Sequence, residues 1–247
     1  MKKLQGLIAA VIILMIASVA QAAPINPINS NRPFVGINDS PTDGPSLQDI
    51  VSGIYSGINV YNNQLSAGMW GSADLGALDA IPVVKAEFTH VAGLQKFGIW
   101  FGTDTGSILT VEIFNGDAVT GTAAMLQIYG NTLSISGFTG VSSATLTDDR
   151  IDKDLFGFYT EYDGVMYYTL DMLNAGGETR ALAYNDGRTN HIFAFETDGL
   201  HNDFQDMVIK IESINPAAVP EPSSLLLLGG GLIGLGFTGY RRLQNKR

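Results

Sequence analysis

Between residues 83 and 214, apolar residues recur with a period of two in short runs, and glycine, asparagine and aspartate separate the runs. The clearest run starts at 207, where MVIKIE alternates an apolar position with a mixed one. Such alternation places successive side chains on opposite faces of a β-strand. The pattern predicts ten strands, over residues 83–91, 94–101, 108–114, 125–129, 133–138, 155–160, 165–170, 179–184, 192–195 and 207–214.

Short strands with turn residues about every eight to twelve positions are typical of a β-sandwich. We therefore predict an all-β fold, an antiparallel β-sandwich or jelly roll, over residues 46–216. That length is sufficient to bury a sizeable core. No internal repeat and no domain boundary is apparent within it.

The period changes to that of a helix just before the strands. The apolar residues of this segment fall on one helical face: Leu47, Ile50, Val51, Ile54 and Ile58. Ser46 suits the N-cap, and Asp49 stands three residues later as in a capping box. We predict one short amphipathic helix over residues 47–55. Residues 23–45 carry five prolines and four asparagines and are typical of a linker or irregular arm.

The N-terminus has the three parts of a secretory signal. Two lysines precede an apolar run over residues 4–19, and Ala20 and Ala22 place small residues where signal peptidase requires them. We predict a signal peptide over residues 1–22, with signal peptidase as a partner. The alternative is a retained N-terminal anchor.

The C-terminal segment, residues 217–247, begins with Pro220, Glu221 and Pro222, continues with an uncharged run to residue 240, and then reaches Arg241 and Arg242. A helix rises about 1.5 Å per residue, so a stable span needs about 20 residues. The run is shorter than that and rich in glycine, which disfavours helix. It predicts a short, weak transmembrane helix with its basic end on the cytoplasmic side.

This order of Pro-Glu-Pro, apolar run and arginine pair resembles the PEP-CTERM sorting signal of proteins exported by Gram-negative bacteria. The resemblance implies recognition by an exosortase, a membrane-embedded enzyme similar to cysteine transpeptidases. It also implies transient anchoring in the inner membrane and a destination in the envelope, at the cell surface or in an extracellular matrix that contains exopolysaccharide.

The charge and the cysteine content of the chain exclude several classes of function. The chain has 14 Lys and Arg against 24 Asp and Glu, a net charge of −10, and six of the basic residues lie in the two end segments. The interior is therefore strongly acidic and repels nucleic acid phosphates, so we expect no nucleic acid partner. The absence of cysteine excludes disulfides, thiolate metal sites and a cysteine nucleophile.

One acidic turn lies between the last two predicted strands. It contains Glu196, Asp198, Asp203 and Asp206 within eleven residues. Calcium binds six to eight oxygen ligands, which are often closely spaced on a loop. The turn is a candidate calcium site, and the alternative is a solvated polar turn of an acidic protein.

The same segment, FETDGLHNDFQDMVIKI, resembles the end of an uncharacterised β-domain family that occurs beside PEP-CTERM tails. The matching positions are Phe195, Glu196, Asp203, Phe204, Asp206, Met207 and Val208. Further matches, such as KFGIWF at 96–101, extend the resemblance over residues 46–215. It implies a calcium-binding turn, but Thr197, His201 and Gln205 depart from the family pattern and each removes or displaces an oxygen ligand.

Other candidates have ordinary structural alternatives. The stretch DDRIDKD at 148–154 is typical of a solvated turn with local ion pairs. His90, His191 and His201 lack zinc-ligand spacing. Trp70, Trp100 and several tyrosines of 159–168 could stack on sugars, although aromatic residues in strands usually pack in the core.

The sequence thus predicts a non-enzymatic, structural or adhesive protein of the surface or matrix, linked to exopolysaccharide. A calcium-dependent glycan-binding module is the alternative, and a polysaccharide hydrolase is a third.

Overall fold

The computed structural model describes residues 25–29, 35–38, 44–74, 76–87, 95–197 and 202–217. Outside these ranges lie the predicted signal peptide, residues 218–247 of the sorting segment, His90 and His201. The chain divides into two units, Met1–Ala217 and Ala218–Arg247. No helix among the described residues is long and apolar enough to cross a membrane.

Helix α1 spans Leu47–Ile54 and confirms the predicted helix to within one residue. The Ser46 hydroxyl accepts from the Asp49 backbone N–H at 3.1 Å and donates to the Asp49 carboxylate at 2.9 Å. The predicted cap therefore forms, and it satisfies one of the backbone donors that a helix start leaves without a partner.

Fourteen strands form the described part of the fold. In chain order they are β1 (Trp70–Ser72), β2 (Leu78–Ala80), β3 (Val83–Glu87), β4 (Lys96–Phe101), β5 (Leu109–Phe114), β6 (Ala124–Tyr129), β7 (Thr132–Gly137), β8 (Ala144–Thr147), β9 (Phe156–Tyr162), β10 (Val165–Tyr168), β11 (Ala181–Asn185), β12 (His191–Phe195), β13 (Met207–Ile211) and β14 (Ile214–Pro216). Two short 3-10 turns, Asp171–Leu173 and Ala175–Gly177, connect β10 to β11.

The strands form three antiparallel sheets, which confirms the all-β prediction. The largest has the order β14-β1-β9-β4-β5, with β10 also paired to β9. The second has the order β11-β12-β13-β3, and the third β2-β6-β7-β8. The predicted strand 207–214 is in fact two strands in different sheets, because Ser213 adopts a left-handed backbone with φ of 62° and turns the chain.

All three sheets contribute to one main core. In strand β4, for example, its side chains come from the alternate positions Phe97, Ile99 and Phe101, as a pleated sheet requires. The largest of them are aromatic: Trp70, Phe97, Phe101, Phe114, Phe156, Phe158, Phe193 and Phe195. The rings of Phe97 and Phe158 stack with centroids 5.5 Å apart.

A second core lies on the opposite face of the β11-β12-β13-β3 sheet, where helix α1 packs. Its members include Leu47 and Val51 of the helix together with Leu182, Tyr184, Ile192, Phe204 and Val208. The face of β13 that the sequence pattern assigns to a mixed environment is therefore partly covered. This sheet is buried on both sides, which positions the turn between β12 and β13.

The outer face of the six-stranded sheet carries a third apolar cluster, which contains Trp100 and Tyr159. The N-terminal arm and the C-terminal end of the domain both reach it. The Ile25 N–H donates to the Thr103 carbonyl at 2.9 Å, and the Ala217 N–H donates to the Met69 carbonyl at 3.0 Å.

Candidate functional site

The acidic turn connects β12 to β13. Pairing of Phe195 with Met207 brings the two strand ends together, so residues 196–197 and 202–206 lie close to one another. Glu196, Thr197, Asp203, Gln205 and Asp206 are all buried. The alternative of a solvated polar turn is therefore wrong for these residues.

Two carboxylates hold the turn closed. The Glu196 Oε2 accepts from the backbone N–H groups of Asp203 at 3.0 Å and Phe204 at 3.3 Å. The Asp206 Oδ2 accepts from the Thr197 N–H at 2.6 Å and from its hydroxyl at 2.8 Å. A buried carboxylate that accepts several N–H bonds satisfies groups that would otherwise be costly to bury.

Backbone conformation explains why this turn needs such support. Asn202 and Phe204 both adopt positive φ, 52° and 55°. A bulky residue rarely adopts this region, and the conformation costs about 1–3 kcal/mol unless the surroundings fix it. Phe204 gains in return a fully buried ring in the second core.

The calcium prediction falls partly outside the described residues, because it includes Asp198. Among the residues that the structure describes, no group of three or more Asp, Glu or His side chains is placed to hold a metal ion. Glu196 and Asp206 both accept hydrogen bonds within the turn, as does Asp203 from the Gln205 side chain at 3.3 Å. Calcium binding stays a prediction.

The second acidic stretch, 148–154, contains the local ion pairs that the sequence suggests. Arg150 contacts Asp148 at 2.7 Å and Lys153 contacts Asp154 at 2.6 Å. The hydrogen bonds from Arg150 lower the pKa of Asp148 to about 2. These are contacts of an exposed turn.

His191 is fully buried at the start of β12, against the ring of Trp70 at 4.6 Å between centroids. Its Nε2 lies 2.6 Å from the Asn185 side-chain nitrogen. Burial lowers the pKa of His191 to about 4. The imidazole is therefore neutral near pH 7 and serves the core.

The aromatic candidates for sugar stacking are mostly interior. Trp70, Trp100 and Tyr159 are buried, so the core interpretation holds for them. The aromatic side chains with the greatest exposure among the described residues are Phe138 at 92% and Tyr129 at 80%. Sequence reasoning missed both, because a single aromatic residue beside a turn carries no periodic signal.

Comparison with known proteins concerns the C-terminal segment. The model of the PEP-CTERM protein-sorting motif matches residues 218–242. This chain carries a PEP-CTERM sorting motif. The match contains Pro220, Glu221, Pro222, Arg241 and Arg242, the residues singled out from the sequence.

The PEP-CTERM motif implies export toward the cell envelope or surface and processing by an exosortase. It begins directly after Ala217, the last described residue of the β-domain. Searches of curated proteins and of solved structures gave no significant match. The resemblance of residues 46–215 to an uncharacterised domain family, and the signal peptidase site at Ala20 and Ala22, therefore stay predictions.

Proposed function

We propose that this PEP-CTERM protein is a non-enzymatic structural or adhesive component of the Gram-negative cell surface or extracellular matrix, associated there with exopolysaccharide. The sorting motif carries the proposal, because it assigns the chain to an export and processing route. The signal peptide predicted over residues 1–22 is consistent with the same route.

The architecture of the β-domain supports a durable extracellular role. Three sheets and a helix enclose aromatic cores without any disulfide, so folding needs no oxidising partner. Both ends of the described domain also contribute to this stability, since Ile25 and Ala217 pack on the outer face of the six-stranded sheet. Export delivers such a domain to an environment where a stable fold is an advantage.

Retention in the matrix tests the proposal. The producing bacterium is compared with a mutant that makes no exopolysaccharide, and the full-length protein is quantified in the matrix and in the medium. We expect the protein in the matrix of the first strain and in the medium of the second. The same distribution in both strains would contradict the association, and release of reducing sugar from the polysaccharide by the purified protein would contradict the non-enzymatic role.

The calcium-dependent alternative has its own measurement. A ligand at about 100 times its dissociation constant stabilises a fold by about 2.7 kcal/mol. Calcium binding at the β12–β13 turn therefore predicts a higher melting temperature of the full-length chain in millimolar calcium than in chelator. Equal melting temperatures would exclude it, and Asp203→Asn should abolish any increase that is found.

A further inference from the structure

A cavity of about 910 Å³ lies between the end of helix α1 and the β11–β12 hairpin. Its wall is mostly polar and includes Tyr55, Gln64, Asp186, Arg188 and Asn190. A second cavity, about 460 Å³, is also bordered by Ile54 and is lined by Asp49, Lys85 and Lys210. The two cavities therefore adjoin at the last turn of the helix.

Hydrogen bonds hold the wall of the larger cavity in place. The Gln64 side chain bonds both the N–H and the carbonyl of Val35, at 2.9 and 3.0 Å. The Asp186 carboxylate accepts from the Arg188 N–H at 2.9 Å and from the Asn190 amide at 3.0 Å. The hairpin that presents Arg188 is thus fixed by its own side chains, which reduces the ordering cost of binding.

Two cations of these cavities, Arg188 and Lys85, differ from the other Lys and Arg side chains that the structure describes. The described residues include seven Lys and Arg: Lys85, Lys96, Arg150, Lys153, Arg180, Arg188 and Lys210. Five of them form an ion pair with a carboxylate. The remaining two among the described residues are Arg188, which is exposed, and Lys85, which is half-buried. Both line the adjoining cavities.

The nearby carboxylates have donors of their own. Asp49 accepts from Ser46, Glu212 pairs with Lys210 at 2.7 Å, and Asp186 holds the hairpin. Arg188 and Lys85 are consequently available to an external anion, in a chain whose net charge is −10. A guanidinium binds a carboxylate through two parallel hydrogen bonds, which makes Arg188 the stronger anchor.

We propose that the two adjoining cavities, here called the Arg188–Lys85 surface, bind an acidic polysaccharide. Arg188 holds a carboxylate of one sugar unit in the larger cavity, and Lys85 attracts the negative charge of another unit in the smaller one. Ligand pockets commonly have volumes of about 300–1,000 Å³, and the polar side chains of both cavities can hydrogen-bond to the hydroxyl groups of a sugar chain. This inference rests on the proposed function, since it names the polymer chemistry that the matrix protein would recognise.

The test measures binding of the full-length protein, purified in mild detergent, to polygalacturonate. Each charged hydrogen bond contributes on the order of a tenfold change in affinity, so Arg188→Ala and Lys85→Ala should each weaken binding about tenfold. Arg188→Lys should retain part of the affinity, since it keeps the charge and loses the planar fork. Arg150→Ala and Lys153→Ala are matched controls, because their cations already have carboxylate partners, and they should bind like the wild type.

Three results would overturn the inference. The first is unchanged affinity in the Arg188→Ala and Lys85→Ala variants, and the second is binding of uncharged dextran as tight as that of polygalacturonate. The third is equal competition by poly-glutamate, which would indicate attraction to any polyanion. A different result would separate this inference from the proposed function. If the wild-type protein binds polygalacturonate but is not retained in the matrix of the producing cells, the proposed function is contradicted and the Arg188–Lys85 surface stays supported.

Discussion

Glu196 shows how a buried carboxylate can serve a fold. The side chain has no exposed surface and accepts from two backbone N–H groups of the β12–β13 turn. Those donors have no access to water if the carboxylate is removed. A buried donor without a partner costs about 1–3 kcal/mol, so the two together make Glu196 central to the turn.

We expect Glu196→Ala to lower the free energy of unfolding by about 2–4 kcal/mol, because it leaves both N–H groups unsatisfied. Urea unfolding followed by fluorescence measures the change. Glu178→Ala is the control, since Glu178 forms an exposed pair with Arg180 and such pairs contribute at most about 1 kcal/mol. Equal losses in the two variants would show that the Glu196 hydrogen bonds do not support the turn.

His191 should make stability depend on pH. Burial favours its neutral form, with a pKa of about 4 in the folded state against about 6.5 when unfolded. The folded state is therefore favoured most above pH 6.5, and its stability falls as the pH drops from there toward 4. Protonation would also set a second N–H donor against the Asn185 amide.

From pH 7.5 to pH 5, we expect this residue to reduce the free energy of unfolding by about 2 kcal/mol, because the loss begins near pH 6.5 and then amounts to about 1.4 kcal/mol for each pH unit. Denaturant unfolding of the wild type and of His191→Gln at several pH values measures it. The variant should lose this part of the pH dependence, whatever its stability at pH 7.5. The same slope in both proteins would show that His191 titrates normally.

Little of the acidic turn could be read from the sequence at this scale. The short distance in sequence between Glu196, Asp203 and Asp206 predicted that they share one turn, and the structure confirms this. The sequence could not show that they are buried or that they accept from backbone N–H groups. Those facts depend on tertiary packing, in which Phe204 of the turn joins helix α1 in the second core.

At the scale of elements, β4 and β9 join through a reciprocal arrangement of aromatic and glycine residues. Trp100 lies opposite Gly157, and Gly98 lies opposite Tyr159. A Cβ on Gly157 would lie 2.3 Å from the Trp100 ring, and one on Gly98 would lie 2.4 Å from the Tyr159 ring. Each ring thus covers the bare backbone of the neighbouring strand, which lets both strands pack closely.

We expect Gly157→Ala to lower the free energy of unfolding by about 1–3 kcal/mol, because the added methyl displaces a fully buried indole. Gly53→Ala in helix α1 is the matched control, since its Cβ meets no atom within 4 Å. There alanine should be neutral or stabilising by up to about 1 kcal/mol. Thermal unfolding compares the two, and a neutral Gly157→Ala would contradict the packing described for β4 and β9.

Elements with a long periodic pattern were predicted well, and short ones were not. Helix α1 was found because its cap and apolar face agree. Strands β1, β2 and β8 were missed and β14 was joined to β13, because three or four residues seldom display a clear period. The pattern also failed to anticipate that β13 is covered on both faces, since that depends on where the helix packs.

At the scale of the whole molecule, the chain combines an acidic β-domain with a PEP-CTERM sorting motif directly after it. The motif was recognisable in the sequence because its parts, Pro-Glu-Pro, an uncharged apolar run and an arginine pair, follow one another directly along the chain. The Arg188–Lys85 surface was not, because Lys85 and Arg188 are about a hundred positions apart and belong to different elements, strand β3 and the β11–β12 hairpin.

The central claim is that this protein is exported and processed through its PEP-CTERM motif. The most direct measurement is the intact mass of the mature protein from cells with and without exosortase, beside a variant in which Pro220, Glu221 and Pro222 are all alanine. We predict loss of residues 225–247 only for the wild-type chain in cells that contain exosortase. An intact C-terminal segment in every sample, or its loss without exosortase, would contradict the claim.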